Sequence, residues 1–124
     1  MTGRIEFKNI DKADEQREFP RGQINVNQIG DVMFGRAIFQ PGWRWSESLR
    51  SIAGTDSCQA GHNGYIQSGR LHVRMDDGYE VDLGPGDFFV CEPGHDAWMV
   101  GEEPCVAFDF SSDVKRYGTP SSND

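Results

Sequence analysis

Thiols and imidazoles crowd into one stretch of this chain, from Cys58 to Trp98. It holds all three histidines (His62, His72 and His95) and two of the three cysteines, Cys58 and Cys91. Thiolate sulfur with imidazole nitrogen favours Zn²⁺, with Fe²⁺ or Ni²⁺ behind it. The stretch therefore reads as a place for a metal or ligand site. The third cysteine is Cys105, so the thiol count is odd and the spacing fits no disulfide framework. In a reducing compartment such cysteines are free thiols, core residues or metal ligands.

Short apolar runs broken by turn residues must position these groups. Fifteen glycines and six prolines in 124 residues favour many tight turns. Ile24 and Val26, then Val32–Phe39, read as strands separated by Gly30-Asp31. Pro41-Gly42 marks a turn, and residues 46–57 form a loop with one helical turn near Glu47–Ser51. In Arg70–Met75, Leu71, Val73 and Met75 share one face, and His72 and Arg74 the other. Asp76-Asp77-Gly78 is a hairpin turn, and Gly84-Pro85-Gly86-Asp87 and Pro93-Gly94 are further turns. In the last strand Val106, Phe108 and Phe110 share a face, opposite Cys105, Ala107 and Asp109. Roughly eight or nine strands at 8–12-residue spacing, with no long helix, mean an all-β sandwich or barrel. The length suits one domain. The expected division is an N-terminal arm over residues 1–22, a β-barrel over 23–112 and a flexible tail over 113–124. In the arm, Ile5 and Phe7 alternate with polar neighbours as a short strand would.

The formal charge is −8 and the pI about 4.7, with no Lys/Arg cluster. Nucleic acid and anionic membrane surfaces are therefore not expected partners. No apolar h-region follows Met1 and no apolar run reaches the length of a membrane span, so the expectation is a cytoplasmic protein.

The chain resembles the cupins, small double-stranded β-helix (jelly-roll) barrels. Their first motif is G-x5-H-x-H-x3,4-E-x6-G and their second G-x5-P-x-G-x2-H-x3-N. Six residues separate His62 from Gly69, which matches the second half of motif one. Tyr65-Ile66-Gln67-Ser68-Gly69-Arg70-Leu71 is similar to the family's Tyr-Val-Leu-x-Gly-x-Leu run. Gly86 and Gly94 match the glycines of motif two. The resemblance spans roughly residues 30–110.

In cupins, two histidines and a glutamate of the first motif, with a histidine of the second, commonly hold one divalent metal. Here Asp56 and Cys58 stand at the two histidine positions, His62 at the glutamate and Ala97 at the last histidine. His95 lies two residues before Ala97, on the same side of an extended segment. The resemblance thus implies a rebuilt site of Cys58, His62 and His95, with Asp56 as a possible fourth ligand and Zn²⁺ the first choice of metal. Asp56 or Glu92 could serve as a base. The same residues also admit a structural reading, with Cys58 as a small buried hydrophobe, His62 hydrogen-bonded in the barrel and His95 capping a turn. His72, Cys91 and Cys105 read as structural. Trp43, Trp45, Tyr65, Phe89 and Trp98 are candidates for lining a pocket. The functional expectation is a metal-binding, small-molecule-binding cupin, whether enzyme or not; the alternative is a non-catalytic binding or sensing module without metal. Cupins are commonly dimers, so a homodimer is expected, with the arm able to reach a second subunit.

Overall fold

The computed structural model describes residues 3–113. Among them nine strands form two antiparallel sheets. In chain order these are β1 (Glu15–Phe19), β2 (Gly22–Ile29), β3 (Val32–Phe39), β4 (His62–Ser68), β5 (Arg70–Met75), β6 (Glu80–Leu83), β7 (Phe88–Cys91), β8 (His95–Val100) and β9 (Cys105–Asp109). Two single-turn helices, α1 (Trp45–Ser48) and α2 (Arg50–Ala53), fill the loop before β4. The larger sheet has the order β1-β2-β3-β9-β4-β7 and the smaller β6-β5-β8. β9 inserts between β3 and β4, and β8 beside β5, so the chain crosses between sheets as a double-stranded β-helix does. The expected fold class is borne out.

The turns sit where the sequence puts them. Gly30, Gly42, Gly78 and Gly94 all take positive φ, a conformation that costs a glycine little. Alternation then decides what is buried. Leu71 and Val73 face inward while His72 and Arg74 face outward. The core is centred on Trp43, Ile24, Ile66 and Cys105, each almost fully buried. At about 2–5 kcal/mol per large-to-small change, such side chains dominate the stability of a domain this size.

Two expectations about the N-terminal segment need correction. Residues 15–19 belong to the barrel: β1 pairs with β2 from Glu15↔Val26 to Phe19↔Gly22. Its burial signal is weak because it is an edge strand with only Phe19 buried. Its polar side chains are satisfied along the edge, as in the Arg17–Glu15 ion pair at 2.9 Å. The expected short strand at Ile5 and Phe7 does not form; both side chains are exposed and residues 3–9 pair with no strand. The expected tail lies, apart from Asp113, outside the described residues.

Candidate metal centre

Five segments meet at one end of the barrel. His62 opens β4, Cys91 closes β7, His95 opens β8 and Asp109 closes β9. The loop carrying Cys58 is sewn onto β8 by an isolated antiparallel bridge to His95. The Cys58 N–H donates to the His95 carbonyl at 2.7 Å, and the Gly94 N–H donates to the Cys58 carbonyl at 2.7 Å. That bridge places Cys58 and His95 side by side although 36 residues separate them. On the other side His62 is the cross-strand partner of Cys91. The loop before His62 is pinned by Asp113, whose carboxylate accepts from the Gly61 N–H at 2.9 Å.

β4 and β9 approach closely at Gly64, the partner of Asp109. A Cβ at residue 64 would run into the Phe108 carbonyl. Glycine here lets the two strands come together. His62 and Asp109 both point inward, and Nδ1 of His62 lies 2.6 Å from the Asp109 carboxylate. The second Asp109 oxygen accepts from the Ser111 N–H at 2.9 Å.

The result is a cluster in which Cys58 Sγ and one nitrogen each of His62 and His95 all lie within 4.8 Å of one another. Both rings are held in one tautomer from behind. A carboxylate takes Nδ1–H of His62, which turns its Nε2 toward Cys58 Sγ at 3.7 Å. The Glu92 carbonyl, an acceptor only, takes Nδ1–H of His95 at 2.8 Å. Zn–S and Zn–N bonds meeting at a tetrahedral angle would set sulfur and nitrogen about 3.6 Å apart, close to the distance found. The Cys58–His62 pair therefore has the spacing a tetrahedral cation needs, and the backing of each imidazole is the arrangement that orients metal-bound histidines.

The electrostatics agree. Burial raises the pKa of the Cys58 thiol, but the adjoining imidazoles of His62 and His95 outweigh burial and hold it down at about 6. Burial lowers the pKa of His62, yet Asp109 and the Cys58 sulfur raise it to about 9. For His95 the opposition to burial comes from Cys58 and Cys91, and its pKa lies at about 10. The same thiol group in a plain core environment behaves otherwise: burial alone pushes Cys105 up to about 11. For Cys58, His62 and His95 each direction favours a thiolate–imidazole contact, in which a divalent cation would take the place of the proton between sulfur and ring.

Beside the cluster is an interior cavity of about 60 Å³, lined largely by aliphatic and aromatic side chains from both sheets. His62, His95, Cys91 and Asp109 supply its polar wall, and among the described residues neither lysine nor arginine lines it. Of the five aromatic candidates, Trp43 and Phe89 line this cavity. Trp45 is buried in the core and does not line it. Tyr65 packs on the outside against Phe88, ring centroids 4.8 Å apart. Trp98 is also outside, between His72 at 4.7 Å and the Arg44 guanidinium at 4.4 Å. Alternation explains both, since each falls on the opposite parity from an inward neighbour, Ile66 or Ala97.

Asp56 is exposed in its loop and is not part of the three-residue cluster. Glu92 is exposed and contributes only its backbone carbonyl. Two members of the site were missed. Asp109 carries its signal in the strand pattern, as a carboxylate sharing a face with Cys105 and Ala107 in an otherwise apolar strand. Cys91 was read as core, but its sulfur lies 3.3 Å from Nδ1 of His95; four residues of spacing across a Pro-Gly turn gave no hint of that contact.

No protein-family model and no curated protein matches the chain. Solved structures do. A protein of unknown function from Rhizobium leguminosarum bv. viciae 3841 is 20% identical with a TM-score of 0.62, over 87% of this chain and 97% of that one. KdgF from Halomonas sp. is 25% identical with a TM-score of 0.60, over 86% and 94%. An RmlC-like cupin from Shewanella frigidimarina NCIMB 400 is 16% identical with a TM-score of 0.56, over 89% and 94%. The chain has the cupin fold.

Proposed function

We propose that this cupin binds one divalent cation, Zn²⁺ in the first place, through Cys58, His62 and His95. Asp109 orients His62, and the cavity beside the cluster receives a small organic molecule. The observation that carries the reading is the convergence of three ligand atoms within 4.8 Å, with both imidazoles backed by acceptors on Nδ1. Asp56 stays outside the set, which leaves the cation a coordination position for water or ligand. Bound there, the cation would supply Lewis acidity; this chain's own residues shape the apolar walls and fix the imidazoles. Metal analysis of untagged protein tests the reading. One equivalent of cation per chain is expected, with a thiolate charge-transfer band on cobalt substitution that disappears in Cys58→Ser. Metal-free protein that takes up no cation under reducing conditions would overturn it.

A binding or sensing module without metal is the second reading. It draws on the mostly aliphatic and aromatic lining of the cavity, to which neither Asp56 nor Glu92 contributes a side chain. A ligand held equally well by wild type and by Cys58→Ser would favour it.

A homodimer fits the outer face of the larger sheet. Phe88 and Val90 are about four-fifths exposed at its β7 edge, an apolar edge of the kind proteins normally cover. Phe34 and Phe110 meet edge-to-face on the same side, 6.2 Å apart. A second copy would cover this face, and a monomer at micromolar concentration in sedimentation would refute it. Among the described residues no helix is long and apolar enough to cross a membrane. A cytoplasmic location would keep Cys58 reduced as the site requires.

A further inference from the structure

Three buried side-chain atoms among the described residues have no hydrogen-bond partner: Asn25 Oδ1, Arg36 Nε and Trp43 Nε1. The first two belong to cross-strand neighbours, Asn25↔Arg36 of β2 and β3. Trp43 stands apart from them. Its indole is 1% exposed and borders the interior cavity. The ring cannot easily turn away. It is stacked on Phe39 at 4.0 Å and 29°. Its backbone is tied at both ends, the Trp43 N–H to the Gln40 carbonyl at 3.0 Å and the Trp43 carbonyl to the Met99 N–H at 2.9 Å. An indole N–H is a donor only, and leaving it unpaired in a protein interior is costly. The cavity that the ring borders is where an acceptor can enter.

We infer that Trp43 is the hydrogen-bond donor of the ligand pocket, and that the pocket takes a small, uncharged, mostly apolar carbonyl compound whose oxygen accepts from Trp43 Nε1. The class follows from the walls. Aliphatic and aromatic side chains dominate the lining, which matches an apolar body. Among the described residues neither lysine nor arginine lines the cavity, and its two imidazoles are already engaged with Cys58, Asp109 and the Glu92 carbonyl, which leaves no spare side-chain cation for a carboxylate. The volume of about 60 Å³ is several times what one water needs, which corresponds to a ligand of roughly five or six heavy atoms. This assignment rests on the cavity being the ligand side of the cation site, and it adds the group that would discriminate among ligands there.

Cyclopentanone is a suitable probe, and cyclopentane its counterpart without an acceptor. In protein carrying isotope-labelled tryptophan, three indole N–H resonances are present, from Trp43, Trp45 and Trp98. Trp43→Phe assigns the first by its loss. Titration of cyclopentanone into both the zinc-loaded and the metal-free wild type is expected to move the Trp43 resonance downfield to saturation and to leave the other two in place. Cyclopentane should bind about tenfold more weakly than cyclopentanone, and Trp43→Phe should erase that difference. Equal binding of the two probes, or a shift confined to Trp45 or Trp98, would overturn the assignment. Reading the resonance in the wild type keeps the test valid if Trp43→Phe folds poorly. Reading it with and without zinc separates failure of the donor from failure of the cation site, which metal uptake reports by itself.

Discussion

His62 and His72 begin alike. Each has a carboxylate oxygen 2.6 Å from Nδ1, Asp109 in one case and Asp82 in the other. They differ in what the second nitrogen meets and in how much water is near. Nε2 of His62 faces the Cys58 sulfur inside the barrel, with both His62 and Asp109 about one-tenth exposed. Nε2 of His72 meets a second carboxylate, Glu80, at 2.9 Å on the outside of the smaller sheet. Two acceptor carboxylates require N–H on both nitrogens, so His72 is committed as an imidazolium and has no lone pair to offer. His62 has its back nitrogen occupied and its front nitrogen turned toward a thiolate and a second imidazole. A carboxylate–histidine pair is therefore no sign of a site by itself; the group opposite the carboxylate decides.

The largest effect expected from this contrast is on cation affinity. His62→Ala or His95→Ala should weaken zinc binding by more than about a hundredfold, measured by competition with a chromophoric chelator. His72→Ala should leave it unchanged. A loss shared equally by all three would dissolve the distinction. One shell out, Asp109→Asn should cost about ten- to a hundredfold in zinc affinity by loosening His62, while Asp82→Asn costs none.

Backbone spacing is the next lever. Gly64→Ala forces β4 away from the Phe108 carbonyl and should lower stability by about 1–3 kcal/mol in urea unfolding. It should also weaken zinc binding, because His62 rides on the displaced strand. An unchanged midpoint would show that the strands have slack.

The smallest effect belongs to His72. Hydrogen bonds that the ring donates to Asp82 first, and then to Glu80, raise its pKa above the ordinary 6.5. A raised value in the folded state means the pairing stabilises the protonated ring. Its contribution is present in full below 6.5 and is lost as pH rises through the folded value. Water screens the pair, so only a few tenths of a kcal/mol are at stake. His72→Ala should thus narrow the stability gap between acidic and alkaline solution slightly. A proton NMR titration of the ring with a midpoint at or below 6.5 would contradict the pairing.

Much of the frame was legible. The Asp-Gly and Pro-Gly turns, the period-two runs and the glycine spacing around His62–Gly69 and Gly86–Gly94 lead to the observed sheets. Among the candidate residues, Cys58 and His62 stand at motif positions and His95 two residues before one; the fold brings these three together and leaves Asp56 outside. The rest was hidden for physical reasons. Tyr65 and Trp98 look like pocket residues because aromatic side chains suit a cavity, yet parity turns them outward. β1 is polar because an edge strand needs little burial, so composition filed it with the arm.

The sequence by itself determined that this chain is a small all-β barrel, which residues alternate, and where its thiols and imidazoles lie along the chain. Local rules suffice for that, since turns and strand parity depend on neighbours a few residues apart. Tertiary structure alone decided which face of β9 points inward, and so that Asp109 backs His62. It also decided that Cys91 touches His95, and that Trp43 has a buried donor without a partner. Those facts arise from the register between strands distant in sequence, where β9 inserts between β3 and β4. No local pattern in one strand carries the alignment of another.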